Sequence, residues 1–291
     1  MNTGISSHIR TTGISPCKPI IMPENFFRHQ LSVWPLAASN YAALSGCVSR
    51  SSGPGAMRLQ FNPARAVSTG ARIDAAALKA RPCFLCPANR PAEQTADLRF
   101  AGYELLVNPF PIFRRHFTIA SLNHEPQAVT GHGDDMYRMT TGMPGYAVFY
   151  NGPRCGASAP DHRHFQAVPA CELPFLASGF PFRTIEFNAS DAESTRLMLD
   201  GTLATLPGEA GEEPMVNILA VAAADNITVR FIVIPRRAHR PACYGTGDGE
   251  HLVSPASVDL AGVMITPRRH DYDTLTGAEI AEIIAQVCYT S

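Results

Sequence analysis

Asn151 to Val168 reads N-G-P-R-C-G-A-S-A-P-D-H-R-H-F-Q-A-V, and its centre, His162-Arg163-His164-Phe165-Gln166, is an H-x-H-x-Q run. A strand alternates its side chains between two faces, so His162, His164 and Gln166 share one face and Arg163 and Phe165 take the other. The two histidine α-carbons then stand roughly 6–7 Å apart, two residues along the strand. That separation suits two neighbouring but distinct tasks, one imidazole as a ligand and the other as a nucleophile. Gly152, Gly156 and Ser158 lie just before the run. Small residues there let backbone N–H groups approach an anion closely. A neutral imidazole attacks phosphorus to give a phosphoramidate, and a Gln amide donates to a phosphoryl oxygen. Two histidines so spaced can also be plain hydrogen-bonded core or surface residues; the glycine loop beside them favours the chemical reading.

Outward from this stretch, strands are expected at Met57 to Phe61, Tyr103 to Val107, Phe117 to Ala120 and Tyr146 to Tyr150. Val216 to Val221 and Ile227 to Ile234 read as an antiparallel pair turned at Ala224-Asp225-Asn226. Helices are expected over Asp74 to Ala80, Asp134 to Thr141 and Ala192 to Leu203. A last helix is marked by a Thr276/Glu279 capping box and by Ile280, Ile283, Ile284 and Val287 at helical spacing. Met136 and Met139 are read as core packing. Phe26 to Ala43 mixes aromatic and aliphatic residues without a clear period, and no type is assigned to it. His116 to His124 and Arg230 to His239 are both apolar strands that end in a histidine, which suggests a repeated β-unit.

The chain has 291 residues, 45% hydrophobic and 17% charged, a globular composition with room for a full core. A net charge of −1 provides no global field for nucleic acid. No apolar run approaches the roughly 20 residues of a membrane span, and the polar start lacks the pattern of a secretory signal. Eight cysteines are scattered at 17, 47, 83, 86, 155, 171, 243 and 288. That scatter fits a reducing cytoplasm better than a disulfide framework. Only Cys83 and Cys86 are closely paired, as a C-x-x-C that reads as a redox pair, half of a zinc site or two core cysteines. Zinc takes four ligands, commonly Cys and His, and His116, His124, His132, His162 and His164 follow downstream.

Asn151…Gly156-x-Ser158…His162-x-His164-x-Gln166 resembles the active-site strand of the histidine-triad superfamily. It is most similar to the branch of galactose-1-phosphate uridylyltransferase and the dinucleoside polyphosphate and GDP-sugar phosphorylases. In that branch Gln takes the third place that hydrolases give to His. The resemblance implies His164 as nucleophile and Gln166 as its catalytic partner. It implies Cys83, Cys86, His124 and His162 as ligands of a structural zinc, and Asn108, Asn151, Gly156 and Ser158 as substrate-binding residues. It covers residues 58 to 170 well and extends more weakly to about 270 through Ile234-Pro235-Arg236-Arg237-Ala238-His239. Asp161 stands where the uridylyltransferases have Pro, and the loop is one residue longer, which leaves the role of Ser158 open. The rest of the uridylyltransferase signature is absent, so galactose metabolism is not implied.

The expected fold is α+β: a histidine-triad-like antiparallel sheet with helices on one side, plus a smaller C-terminal half of related build. Residues 1–22 are expected to form an N-terminal arm, 23–190 the catalytic domain, and 191–291 a C-terminal half that completes the nucleotide site. The expected activity is nucleotidyl transfer or phosphorolysis on a nucleoside diphosphate derivative, by double displacement through a nucleotidyl-histidine. The partners are then a nucleotide or nucleotide-sugar and a phosphate or sugar-phosphate acceptor, with neither nucleic acid nor membrane. Related enzymes are often dimers, which leaves a homodimer as an open expectation that rests on family analogy alone. Two rivals are a nucleotide hydrolase of the same superfamily and a non-catalytic binding module stapled by zinc. Most of Arg154, Arg163, Arg236 and Arg237 are read as surface arginines; strand alternation points Arg163 away from the nucleophile, and the last two reach a phosphate only if the C-terminal half folds back over the site.

Overall fold

A computed structural model describes residues 23–70, 78, 80–209 and 211–290. The expected N-terminal arm and nearly all of the helix expected at Asp74 to Ala80 lie outside the described residues. Helices α1 (Glu24–Val33) and α2 (Pro35–Ala43) occupy the stretch whose type the pattern leaves open. Trp34 between them is extended, at φ −118° and ψ 95°. A residue before proline is driven out of the helical region, while the proline itself suits the first helical turn. The break resets the helical register, which is why no single period runs through the segment.

Strands β1 (Val48–Ser51), β2 (Arg58–Phe61), β3 (Asp97–Phe100), β4 (Tyr103–Val107) and β5 (Phe117–Ser121) follow. Helix α3 (Gly133–Thr141) buries Met136 and Met139 and stops at Gly142. Then come β6 (Tyr146–Asn151), β7 (His164–Pro169), β8 (Ile185–Ala189) and helix α4 (Ala192–Ala204). The Asp191 side chain caps α4 by accepting from the Ser194 backbone N–H. The antiparallel pair β9 (Val216–Ala222) and β10 (Val229–Pro235) turns through Asn226, whose φ is +54°. Helix α5 (Ser257–Leu260), β11 (Val263–Thr266), α6 (Arg269–Thr274) and α7 (Gly277–Val287) complete the order. The Thr276/Glu279 capping box opens α7, and Ile280, Ile283, Ile284 and Val287 form its buried face.

The strands form an eight-stranded antiparallel sheet, in the order β3-β4-β5-β7-β6-β9-β10-β8, and a three-stranded sheet β1-β2-β11. Strands β6 and β9 pair antiparallel, so the large sheet runs on through residues from both sides of position 190. The fold is α+β. The helices, expected on one side, lie on both. Every residue of β4, β5 and β6 is buried, so both faces of these strands need cover. One face packs Leu105, Phe117, Phe165 and Phe231 against α1 to α4. The other packs Phe149, Val168, Leu219 and Ile234 against the small sheet and the C-terminal helices.

Arg236 ties that second face together, which corrects its reading as a surface group. It is 3% exposed. Its Nε donates to the Val287 carbonyl at 3.0 Å. One terminal nitrogen donates to Asn217 Oδ1 and, at 3.0 Å, to the Pro255 carbonyl. The other donates to the carbonyls of Ala238 at 3.0 Å and His239 at 3.2 Å. Every guanidinium N–H thus ends on a protein oxygen, leaving none for a phosphate. Arg237 is exposed and stacks on Tyr289. Arg154 pairs with Glu212 at the surface, but Arg163 is buried on Glu125 and His132, on the far side of the strand from His164. Arg236→Met removes five donors and leaves buried carbonyls unpaired. Urea unfolding should show it destabilised by about 3–5 kcal/mol; a loss under about 1 kcal/mol would show that the network contributes no more than a surface pair.

Candidate active site and metal centre

Alternation along the sheet decides what faces the second core. His164 and Gln166 share the parity of Val168, which packs toward the small sheet, whereas Phe165 and Ala167 pack toward α3. Thr118 pairs with Gln166 in register and is on the same side. On this side the core opens into a cavity of about 590 Å³, lined by His164, Gln166, Asn151, Asn108, Gly156 and Ser158 among others. The ordered strand begins at His164 rather than His162; His162 turns instead toward the Cys83 loop.

His164 is buried, and its Nδ1 lies 2.8 Å from the His162 carbonyl oxygen. A carbonyl can only accept, so Nδ1 carries the proton and Nε2 keeps its lone pair. Burial lowers the pKa of this imidazole to about 4 against the raising effect of that hydrogen bond, and the ring is neutral near pH 7. Gln127, which the sequence reading passed over, holds the residue in place. Strands β6 and β7 are paired only as far as Phe149 and Gln166. Beyond that point Gln127 bridges them: its Oε1 accepts from the His164 N–H at 2.8 Å. Its amide nitrogen donates to the carbonyls of Asn151 at 2.8 Å and His164 at 3.0 Å.

A second histidine sets the amide of Gln166. The Ile112 N–H donates to His116 Nδ1 at 3.3 Å, so the proton of His116 sits on Nε2. That N–H donates to Gln166 Oε1 at 2.8 Å. Gln166 therefore turns its NH2 away from His116, and this NH2 has no hydrogen-bond partner among the described residues. Burial, with Arg65 nearby, depresses His116 to about 3 and keeps it neutral. The sequence pattern places His116 on an apolar strand and says nothing of this partner, because the two residues meet only through the β5–β7 pairing.

The glycine loop is held from both ends. Gly156 has φ +97°, and a Cβ there would stand 2.5 Å from the Ala256 Cβ. Arg81 donates to the Ser158 carbonyl at 3.3 Å and to Asp161 at 3.1 Å. Asp161, where the resembling uridylyltransferases have Pro, thus anchors an arginine that lines the cavity. Asn151 Oδ1 is taken up inside the protein, by the Asn217 amide at 2.8 Å and the Ser257 N–H at 3.0 Å. Only its amide nitrogen remains for the cavity. Asn108 closes a turn, accepting from the Phe110 N–H at 2.9 Å and donating to Thr118 at 3.2 Å. Arg65 lines the cavity too; burial lowers it to about 10, against Asp259, so it stays charged. No local signal in the sequence singles out Arg65 or Arg81, since each earns its place from a partner far along the chain.

Beside the cavity, the donor atoms of Cys83, Cys86, His124 and His162 lie within 4.8 Å of one another, a group that could hold a metal ion. Cys83 Sγ is 3.3 Å from His162 Nδ1, and Cys86 Sγ is 3.3 Å from His124 Nδ1 and 3.6 Å from His162 Nδ1. His162 Nε2 lies 2.8 Å from the Ser121 carbonyl, so it carries the proton and leaves Nδ1 as the donor atom. Burial pushes the Cys83 thiol up. The His162 contact and the N–H groups of Leu85 and Cys86 outweigh it and bring the thiol to about 6. His132 takes no part: its ring bridges Arg163 and Asp135 on the other side of the sheet.

Residues 26–169 match the model of a family described as a domain of unknown function, DUF4922. No curated protein matches the chain. Among solved structures the chain is similar to the yeast Ap4A phosphorylase Apa2, with TM-score 0.57 and 18% identity over 89% of this chain and 97% of that one. The complex of that protein with AMP gives TM-score 0.56 and 18% identity, over 90% and 97% of the two chains. Its complex with Ap4A gives 0.55 and 14%, over 89% and 98%. At such identities the likeness is one of fold. Among the described residues no helix is long and apolar enough to cross a membrane.

The glycine loop generates a direct test. Gly156→Ala adds a methyl group at a positive φ and against Ala256, a cost of roughly 2–4 kcal/mol. Denaturant unfolding should show that loss, whereas Gly201→Ala, with nothing within 4 Å of the added carbon, should be neutral or stabilising.

Proposed function

We propose that this chain is a nucleotidyltransferase or phosphorylase acting on a nucleoside diphosphate derivative, an NDP-sugar or a dinucleoside polyphosphate. The observation that carries the reading is His164: a neutral imidazole with Nδ1–H fixed on a carbonyl and Nε2 left unprotonated in the cavity. In the first step Nε2 attacks the α-phosphorus. The Nε2–P bond forms, and the bond from that phosphorus to the bridging oxygen breaks, its electron pair leaving with the departing phosphate. The ring then carries a positive charge, which the hydrogen bond to the His162 carbonyl stabilises. In the second step an oxygen of inorganic phosphate or of a sugar phosphate attacks the same phosphorus. The P–N pair returns to Nε2, and the neutral ring is restored. The NH2 of Gln166 and the loop from Gly156 to Ser158 would hold the non-bridging oxygens as charge develops. The solved complexes of the similar fold with AMP and Ap4A support a nucleotide substrate.

We assign zinc to the Cys83, Cys86, His124 and His162 cluster. Tetrahedral zinc, with bonds of about 2.3 Å to sulfur and about 2.05 Å to nitrogen, puts each S···N edge at about 3.6 Å. The three edges of 3.3, 3.3 and 3.6 Å are close to this. All four ligands are protein side chains, which is the pattern of a structural site. When bound, the ion ties the Cys83 loop to the start of β7 and fixes the backbone carbonyl that orients His164.

Mass spectrometry after mixing with UDP-, GDP- or ADP-sugars, and with diadenosine polyphosphates, should show one nucleotidyl adduct. The adduct should vanish in His164→Ala; a label that survives there overturns the mechanism. Added phosphate should convert the product from nucleoside monophosphate to diphosphate, and a product that stays monophosphate identifies a hydrolase instead. Metal analysis should give about one zinc per chain. Fully folded protein that holds no metal would remove the zinc assignment without touching the role of His164.

A further inference from the structure

Part of the lining of the cavity comes from the C-terminal part of the chain. After β10 the chain passes through Arg236 and presents His239 and Arg240 to the cavity, with Ser254 beside them. The backbone of this loop is fixed: the Arg236 guanidinium holds the carbonyls of Ala238, His239 and Pro255. Through Asn217 the same guanidinium reaches Asn151, at the end of β6. One hydrogen-bonded chain therefore links the His239 loop to the end of β6 and, through Gln127, to His164 on β7.

The side chains of the loop are arranged unequally. Arg240 lies 4.0 Å over the Tyr244 ring, and its Nε donates to Ser254 Oγ at 3.2 Å. These contacts hold a positive charge at the wall. His239 is half-buried, and its ring makes no hydrogen bond among the described residues. Burial, with Arg240 and Arg236 close by, lowers it to about 4, so it can donate one N–H and accept at the other nitrogen. Nearby, Asp259 does not compete for this ring: its two oxygens accept from the N–H groups of Ala256 and Ile265, each at 2.9 Å. His164 and Gln166 already have their tasks on β7, and each histidine of the metal cluster is turned toward a cysteine. His239 is the remaining cavity imidazole whose ring has no partner among the described residues.

We infer that His239, with Arg240 beside it, binds the phosphate group that enters and leaves opposite His164, and so makes inorganic phosphate rather than water the acceptor. This rests on the double-displacement reading above. The acceptor step balances without a further base. An oxygen of hydrogen phosphate bonds to the α-phosphorus, the P–Nε2 bond breaks, and its electron pair neutralises the imidazolium. The proton of hydrogen phosphate stays on the new terminal phosphate. His239 and Arg240 are then needed to hold the phosphate dianion in line with the P–N bond, where an unheld water would otherwise have equal access.

The test separates acceptor binding from general damage. Nucleotidyl-enzyme is formed on the full-length chain, freed of excess substrate, and its discharge is followed with and without inorganic phosphate. In His239→Asn the ratio of the phosphate-dependent rate constant to the water-dependent one should fall at least about tenfold, and half-saturation should move to higher phosphate. A change that only loosens the fold slows both discharges and leaves the ratio near that of the wild type; that result, or an unchanged half-saturation, overturns the inference. Arg240→Gln should lower the same ratio. If wild-type protein forms no adduct with any nucleotide, the double-displacement reading itself fails. If it forms one that phosphate discharges equally well in both proteins, only the role of His239 fails.

Discussion

Strands β6 and β7 stop pairing after Phe149 and Gln166, and much of the site follows from that separation. Buried backbone groups must find partners, and where the strands part Gln127 supplies them, bonding His164 on one side and Asn151 on the other. The same parting leaves room for the glycine loop between the two strands and for the cavity above them. It also places the His162 carbonyl where it accepts from the His164 ring. The protonation pattern of the candidate nucleophile is thus set by backbone geometry, not by a dedicated carboxylate partner.

Imidazoles recur around this gap, each oriented by its own partner. His164 is oriented by a carbonyl, His116 by the Ile112 N–H, and His162 by the Ser121 carbonyl. The first leaves a lone pair for the cavity, the second holds Gln166 by its oxygen, and the third directs Nδ1 at two thiols. Burial keeps His164 and His116 uncharged. Positive charge in the cavity comes instead from the guanidinium groups of Arg65, Arg81 and Arg240. That division suits a site for polyanions in which the attacking group itself must stay unprotonated.

A good part of this architecture is legible in the residues. Period-two and period-3.6 patterns locate β4 to β7, the β9–β10 pair and helices α3, α4 and α7 within a residue or two. Short local contacts dominate those segments: the Thr276/Glu279 box, the Asp191 cap and the Gly142 stop act within a turn of the chain. Phe26 to Ala43 resists reading because Pro35 divides it into two helices with separate registers. The second helical layer also escapes. Burial of a strand on both faces removes the polar alternation from which a one-sided sheet would be recognised.

The sequence by itself determined which side chains share a face and which small residues flank them: His164 with Gln166 on one side of β7, Phe165 on the other, Cys83 one turn from Cys86, and glycines before the strand. These are matters of spacing along a single element, and the backbone repeat settles them. Only the tertiary structure decided which nitrogen of His116, His162 and His164 faces its partner, that Arg236 is a buried tie, that Gln127 and His116 hold His164 and Gln166, and that Arg81 and His239 line the cavity. Several of those outcomes depend on a partner dozens of residues away, and the rest on local bonds that only the folded backbone brings into line. Hydrogen-bond direction and desolvation are properties of the assembled surroundings, and no stretch of chain contains its own surroundings.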